Sequence, residues 1–116
     1  MIMTLGLFQL ENLVLTSVPF HLLDLRMMPV MLGSARVQTC LNRAQVVRAS
    51  ELDQHLKNFE AGKNDPLILF CEDGHLSMAE AERLQRQGYT QVYVIEGGTD
   101  GLLREADDFP SSGSIR

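Results

Sequence analysis

Three compact apolar blocks punctuate the chain, at residues 21–26 (HLLDLR), 67–70 (LILF) and 91–95 (QVYVI), with longer mixed stretches between them. A short apolar run that closes on charge predicts a buried strand reaching its C-terminal edge, so 21–26 is expected to be one. A weaker strand is expected near residues 5–8. LILF is apolar at every position, the pattern of a strand covered on both faces in the middle of a parallel sheet. QVYVI is the third strand, rich in β-branched residues.

The stretches between the blocks carry helical spacing. In ASELDQHLKNFEAGKNDP (49–66), Leu52, Leu56 and Phe59 share a face. Ser50 is expected to cap that helix with Asp53 three residues on, Gly62 to stop it, and Pro66 to force an extended approach to LILF. SMAEAERLQRQG (77–88) predicts a helix with a Ser77–Glu80 capping box and Gly88 just past its end. Gly97-Gly98 predicts a tight turn and 99–106 a short last helix. Pro29 and Gly33 break any long helix after the first strong strand. Strands alternating with helices imply an α/β fold, with a central parallel sheet flanked by helices on both faces.

Composition narrows the class. With 116 residues there is room for one domain, expected over 1–106, and the turn-rich end, 107–116, reads as a flexible C-terminal tail. The formal net charge is -5 and no Lys/Arg block occurs, which argues against nucleic acid or an anionic membrane as the main partner. The N-terminal 26 residues are apolar but broken by Gln9, Glu11, Asn12 and His21. They read as core rather than as a membrane helix or signal peptide. The two cysteines, Cys40 and Cys71, suit free thiols in a reducing cytoplasm better than a disulfide scaffold.

The candidate chemistry lies where LILF ends. Cys71 stands at the C-terminal end of a strand, where parallel sheets bind ligands, and is followed by Glu72, Asp73, Gly74, His75, Leu76 and Ser77. Gly74 allows the six residues 71–76 to curl, which turns backbone N–H groups inward at a helix N-terminus and favours an anion. A thiol so placed is favoured as the nucleophilic thiolate, and a persulfide on it would be held by the same donors. The plainer reading makes Cys71 a small buried hydrophobe that ends a strand. His75 could protonate a leaving group or orient a donor, or simply be an exposed turn residue. Cys71 and His75 alone do not make a metal site, since structural zinc needs four ligands. His21 and His55 read as structural; Cys40 could attack a Cys71 persulfide and form a disulfide, but reads better as a spare thiol in a connector. Asp24 and Arg26 are expected at the same sheet edge as Cys71, as a salt bridge that pins the loop.

Residues 65–98, DPLILFCEDGHLSMAEAERLQRQGYTQVYVIEGG, resemble the C-terminal half of a rhodanese-like domain. The elements that carry the resemblance are Cys71, Gly74, Ser77, Ala79, Ala81, Gly88-Tyr89, Val92, Val94 and Gly97-Gly98, with LLDLR (22–26) similar to an upstream Leu-Asp-x-Arg element. The likeness spans roughly residues 20–105. It implies sulfur transfer through a Cys71 persulfide, with no cofactor or metal. The implied partner is a small sulfur-containing donor or a persulfide-carrying protein. Three departures bear on substrate. The stretch after Arg26 keeps only LGSA (32–35) of a usual Gly-His-Ile-x-Gly-Ala segment, Glu72 stands where Arg is frequent, and Leu76 where a basic residue is frequent. The two side-chain changes disfavour a dianion such as thiosulfate. A second reading is a catalytically weak interaction or regulatory module on the same fold. A cysteine phosphatase is excluded, because no Arg stands at Leu76 to grip a phosphoryl group and Phe70 replaces the usual His.

Overall fold

The structure, a computed structural model, describes residues 2–16 and 18–108. Five strands form one all-parallel sheet in the order β1-β5-β4-β2-β3. They are β1 (Met3–Leu5), β2 (His21–Asp24), β3 (Gln45–Val46), β4 (Leu67–Phe70) and β5 (Val92–Ile95). β4 is central and wholly buried, as its unbroken apolar pattern predicts.

Side-chain alternation along β4 divides the core in two. Leu67, Leu69 and Cys71 join Leu23, Leu25, Val92 and Val94 on one face, under α3 (Leu52–Asn58) and α4 (His75–Arg86). Ile68 and Phe70 join Leu22 and Ile95 on the other, under α1 (Leu7–Leu15), α2 (Ala35–Leu41) and α5 (Gly98–Asp108). Helices cover both faces, so the expected layering holds.

Several local expectations are corrected. Residues 5–8 are not a strand: β1 ends at Leu5 and α1 starts at Leu7. Leu7 and Leu10 are fully buried, whereas Leu15 is 79% exposed, so the N-terminal segment is core on one side only. Cys40 lies not in a connector but on α2, which Ser34 caps by accepting the Val37 N–H. Ser50 caps nothing: a 3-10 turn at Ala49–Glu51 precedes α3. The chain leaves α3 through Glu60, at φ 51°, before it reaches Gly62. Gly88 does follow α4 with a positive φ, 103°, the C′ position foreseen for it. α5 runs to Asp108, two residues past the helix end expected at 106, and 109–116 lie outside the described residues. Among the described residues no helix is long and apolar enough to cross a membrane.

Candidate active site

β4 delivers Cys71 to the C-terminal end of the central strand, and the chain turns at once. The turn is shorter than foreseen. Gly74 is the N-cap of α4, so His75, Leu76 and Ser77 form the helix's first turn and only 71–74 is loop. Two features start the helix early. Gly74 takes φ 95° and ψ -11°, the left-handed region, and Asp73 Oδ1 accepts the His75 N–H at 2.9 Å. Ser77 is therefore not the cap. It is fully buried in the first turn, and its hydroxyl donates to the Gly74 carbonyl at 3.2 Å.

This geometry encloses the sulfur. The Gly74 N–H donates to Cys71 Sγ at 3.2 Å and the Ser77 N–H at 3.4 Å, with Ser77 Oγ 3.5 Å away. Asp73 Oδ1 lies 3.9 Å from Sγ, on the outer side. Cys71 itself is only 2% exposed. Two inward N–H groups at the start of a helix make a small nest for an anion centred on the sulfur.

A second turn braces the first. Gly97 and Gly98 both have positive φ, 71° and 63°. A Cβ on Gly98 would lie 2.3 Å from the Cys71 carbonyl oxygen and 2.5 Å from that of Glu72. The close approach lets Thr99 N–H donate to Cys71 O and Asp100 N–H to Glu72 O, both at 2.9 Å. The first turn of α5 thereby satisfies the two carbonyls that the tight loop leaves free of the sheet. This brace was not foreseen. Paired glycines signal a turn, but nothing local tells which backbone they meet.

The charged residues divide. His75 points outward, its side chain 91% exposed, with Nδ1 3.1 Å from Asp73 Oδ2. The His75 backbone N–H, and then its ring, hold the Asp73 carboxyl below the usual carboxylate range. Glu72 and Asp73 are exposed, and Leu76 is 36% exposed. Asp24 and Arg26 form a buried bidentate pair, with Nε to Oδ1 at 2.9 Å and Nη2 to Oδ2 at 2.8 Å. The guanidinium lies 5.5 Å over the Phe70 ring, on the face of the sheet opposite Cys71. Its hydrogen bond to Asp24, chiefly, keeps Arg26 firmly protonated, and Glu72 adds a smaller push in the same direction. The pair fixes the end of β2, where the Leu25 N–H donates to Phe70 O at 2.9 Å. It braces the floor beneath the thiol rather than touching it.

Cys40 is buried among Leu22, Ile68 and Phe70, with the sheet between it and Cys71. Burial pushes its thiol up, Glu11 adds to this and Arg36 opposes it. That placement removes Cys40 as a resolving partner for Cys71. Among the described residues no cluster of three or more His, Cys, Asp or Glu is set to hold a metal ion.

A family model described as Rhodanese-like domain matches residues 12–105. The thiosulfate sulfurtransferase GlpE of Glaesserella parasuis is 35% identical over 57 residues, a stretch covering 43% of this chain and 53% of that protein. The chain thus matches about half the length of this curated relative. A solved rhodanese-like domain protein of Staphylococcus aureus is 21% identical with a TM-score of 0.65, over 87% of this chain and 91% of that one. A solved thiosulfate sulfurtransferase of Pseudomonas aeruginosa is 19% identical with a TM-score of 0.70, over 90% of this chain and 19% of that one. At such identities the two structures speak for the fold.

Proposed function

The chain belongs to the rhodanese-like domain family, and from that premise we propose that it is a sulfurtransferase or sulfur carrier working through a persulfide on Cys71. The observation that carries the reading is the pair of N–H groups, from Gly74 and Ser77, directed at Cys71 Sγ. In this reading they hold the Cys71 sulfur in place by hydrogen bonds as it attacks and is released. In the loading step the Cys71 thiolate attacks the sulfane sulfur of a donor. The sulfur–sulfur bond forms as the donor's own bond breaks, and the donor leaves with the electron pair as a thiolate or, from thiosulfate, as sulfite. In unloading, an acceptor thiolate or cyanide takes the outer sulfur and Cys71 returns as thiolate. No external oxidant is required.

Catalysis here rests on positioning and backbone dipoles, with no cofactor or metal in the scheme. His75, turned to solvent and paired with Asp73, is assigned no step. Glu72 and Asp73 line the approach with negative charge, so the favoured donor is a persulfide of low charge rather than thiosulfate. A cytoplasmic setting fits, because it keeps Cys71 reduced between cycles. The test is mass spectrometry of the intact protein after exposure to thiosulfate, to glutathione persulfide and to cysteine persulfide. A reducible gain of one sulfur on Cys71 supports the carrier. One observation favours the second reading, a regulatory binding module: the acidic, cation-free loop leaves a small anionic donor little to hold. Absence of loading from every donor would select it.

A further inference from the structure

Among the described residues, four of the eleven exposed large hydrophobics fall within one stretch of five: Met27 at 76%, Met28 at 78%, Val30 at 62% and Met31 at 78%. A run of exposed apolar residues this dense is not tolerated on a surface without use. Nor is the segment loose. Arg26, itself buried, donates from Nη1 to the Val30 carbonyl at 3.3 Å, and the Leu32 N–H donates to Gln38 Oε1 at 3.0 Å. The chain is tied at both ends while its apolar side chains face water. The segment springs from the end of β2, beside the end of β4 that carries Cys71, because the Leu25 N–H is bonded to Phe70 O. At the same end of the sheet stand the exposed carboxylates of Glu72, Asp73 and Asp100, with no Lys or Arg among residues 71–77.

We propose that residues 27–31 and this acidic rim form a docking surface for a protein that carries the sulfur on a cysteine flanked by apolar and cationic residues. The inference rests on Cys71 as the sulfur acceptor and names the class of its donor. Charge decides the class: carboxylates around the thiol repel small anionic donors and attract a Lys/Arg-bearing surface. Methionine side chains supply the rest, since they are polarizable and repack against varied partners. Burial of Cys71 adds a further reason. A sulfur that must be pushed into an enclosed site profits from binding energy made at a distance, which a small donor lacks. The exchange is balanced: Cys71–S⁻ and R–S–SH give Cys71–S–SH and R–S⁻.

The experiment uses the full chain and three donors: a synthetic peptide persulfide with Lys and Leu around its cysteine, its twin with Glu for Lys, and glutathione persulfide. Loading is followed by intact mass, and binding by fluorescence anisotropy of the labelled peptides with Ser for Cys. The expected result is a kcat/KM for the Lys–Leu peptide at least about tenfold above the other two. That advantage disappears in the variant M27S/M28S/M31S, while loading from glutathione persulfide is unchanged. Equal rates for the three donors, or an unaltered preference in the variant, would overturn the docking surface. If nothing loads Cys71, the donor assignment falls with the sulfur-transfer reading. Anisotropy then shows separately whether the methionines bind the Lys–Leu peptide at all.

Discussion

The Gly74 amide nitrogen stands 3.2 Å from Cys71 Sγ with its N–H directed at the sulfur, and only a left-handed Gly74 puts it there. At φ 95° a side chain is disfavoured, and a Cβ would in addition meet the Gly97 nitrogen at 3.3 Å. Gly74→Ala is expected to cost about 1–2 kcal/mol from the backbone alone. Sulfur loading should fall further than stability does, because the amide is turned from the thiolate. Thermal unfolding and single-turnover loading of the same preparation check this. Unchanged loading in a destabilised variant would separate the glycine from the chemistry.

The brace from α5 makes a sharper demand. Gly98→Ala drives a Cβ against the Cys71 and Glu72 carbonyls, at 2.3 and 2.5 Å, with no flexible side chain to yield. Its destabilisation should exceed that of Gly74→Ala, combining strain with overpacking of about 1–3 kcal/mol. Gly33→Ala, where a Cβ meets nothing within 4 Å, is the control. It should stay within about 0.5 kcal/mol of the parent. Denaturant midpoints of the three variants rank them.

How much of this could be read in the chain follows from how local each cause is. β4 and α4 were legible because their signals lie in their own residues: four consecutive apolar positions, and a helix closed by Gly88. α1 was missed because its N-cap is Gly6. The end of α1 is completed by the Glu105 carboxylate, which accepts the Leu7 N–H from 98 residues away. α2 was missed because its Ser34 cap lies in a segment broken by Pro29 and Gly33. In the site, the thiol and the turn glycine were visible in sequence, and so was the helix that follows them, but not the residue that opens it. The role of Ser77 was misjudged, since an Asp73–His75 backbone contact opens the helix two residues earlier. The Gly98 brace depends on tertiary approach and left no local trace.

Charge at the mouth of the site should show in kinetics. Glu72→Arg replaces a carboxylate near the nucleophile with a cation and is expected to raise thiosulfate-to-cyanide transfer several-fold. The gain should be largest near about 0.01 M salt and shrink toward about 0.1 M, as the Debye length falls from about 30 to about 10 Å. The buried Arg26, which feels Glu72, moderates the gain. Robust parental turnover, unaltered by the arginine, would place Glu72 outside the approach path.

His55 links stability to pH. Its Nε2 lies 3.0 Å from Gln45 Oε1 and its ring 4.6 Å from that of Phe59. Burial, then the charge of His21, holds it below the ordinary imidazole value of 6.5. The unfolded chain therefore binds a proton that the folded chain resists. The stability contributed by neutral His55 is complete above about pH 6.5 and is lost as pH falls through the lower folded value. Between about pH 7.5 and about pH 5.5 the midpoint should fall more steeply for the parent than for His55→Gln. Parallel curves would show that His55 titrates alike in both states.

The measurement closest to the central claim is the intact mass of the parent and of Cys71→Ser after incubation with glutathione persulfide, before and after reduction. The parent should gain the mass of one sulfur, lost on reduction, and the serine variant, folded as judged by circular dichroism, should gain none. A reducible sulfur on the serine variant would contradict the account, because the acceptor would then be a thiol other than the one that the Gly74 and Ser77 amides surround.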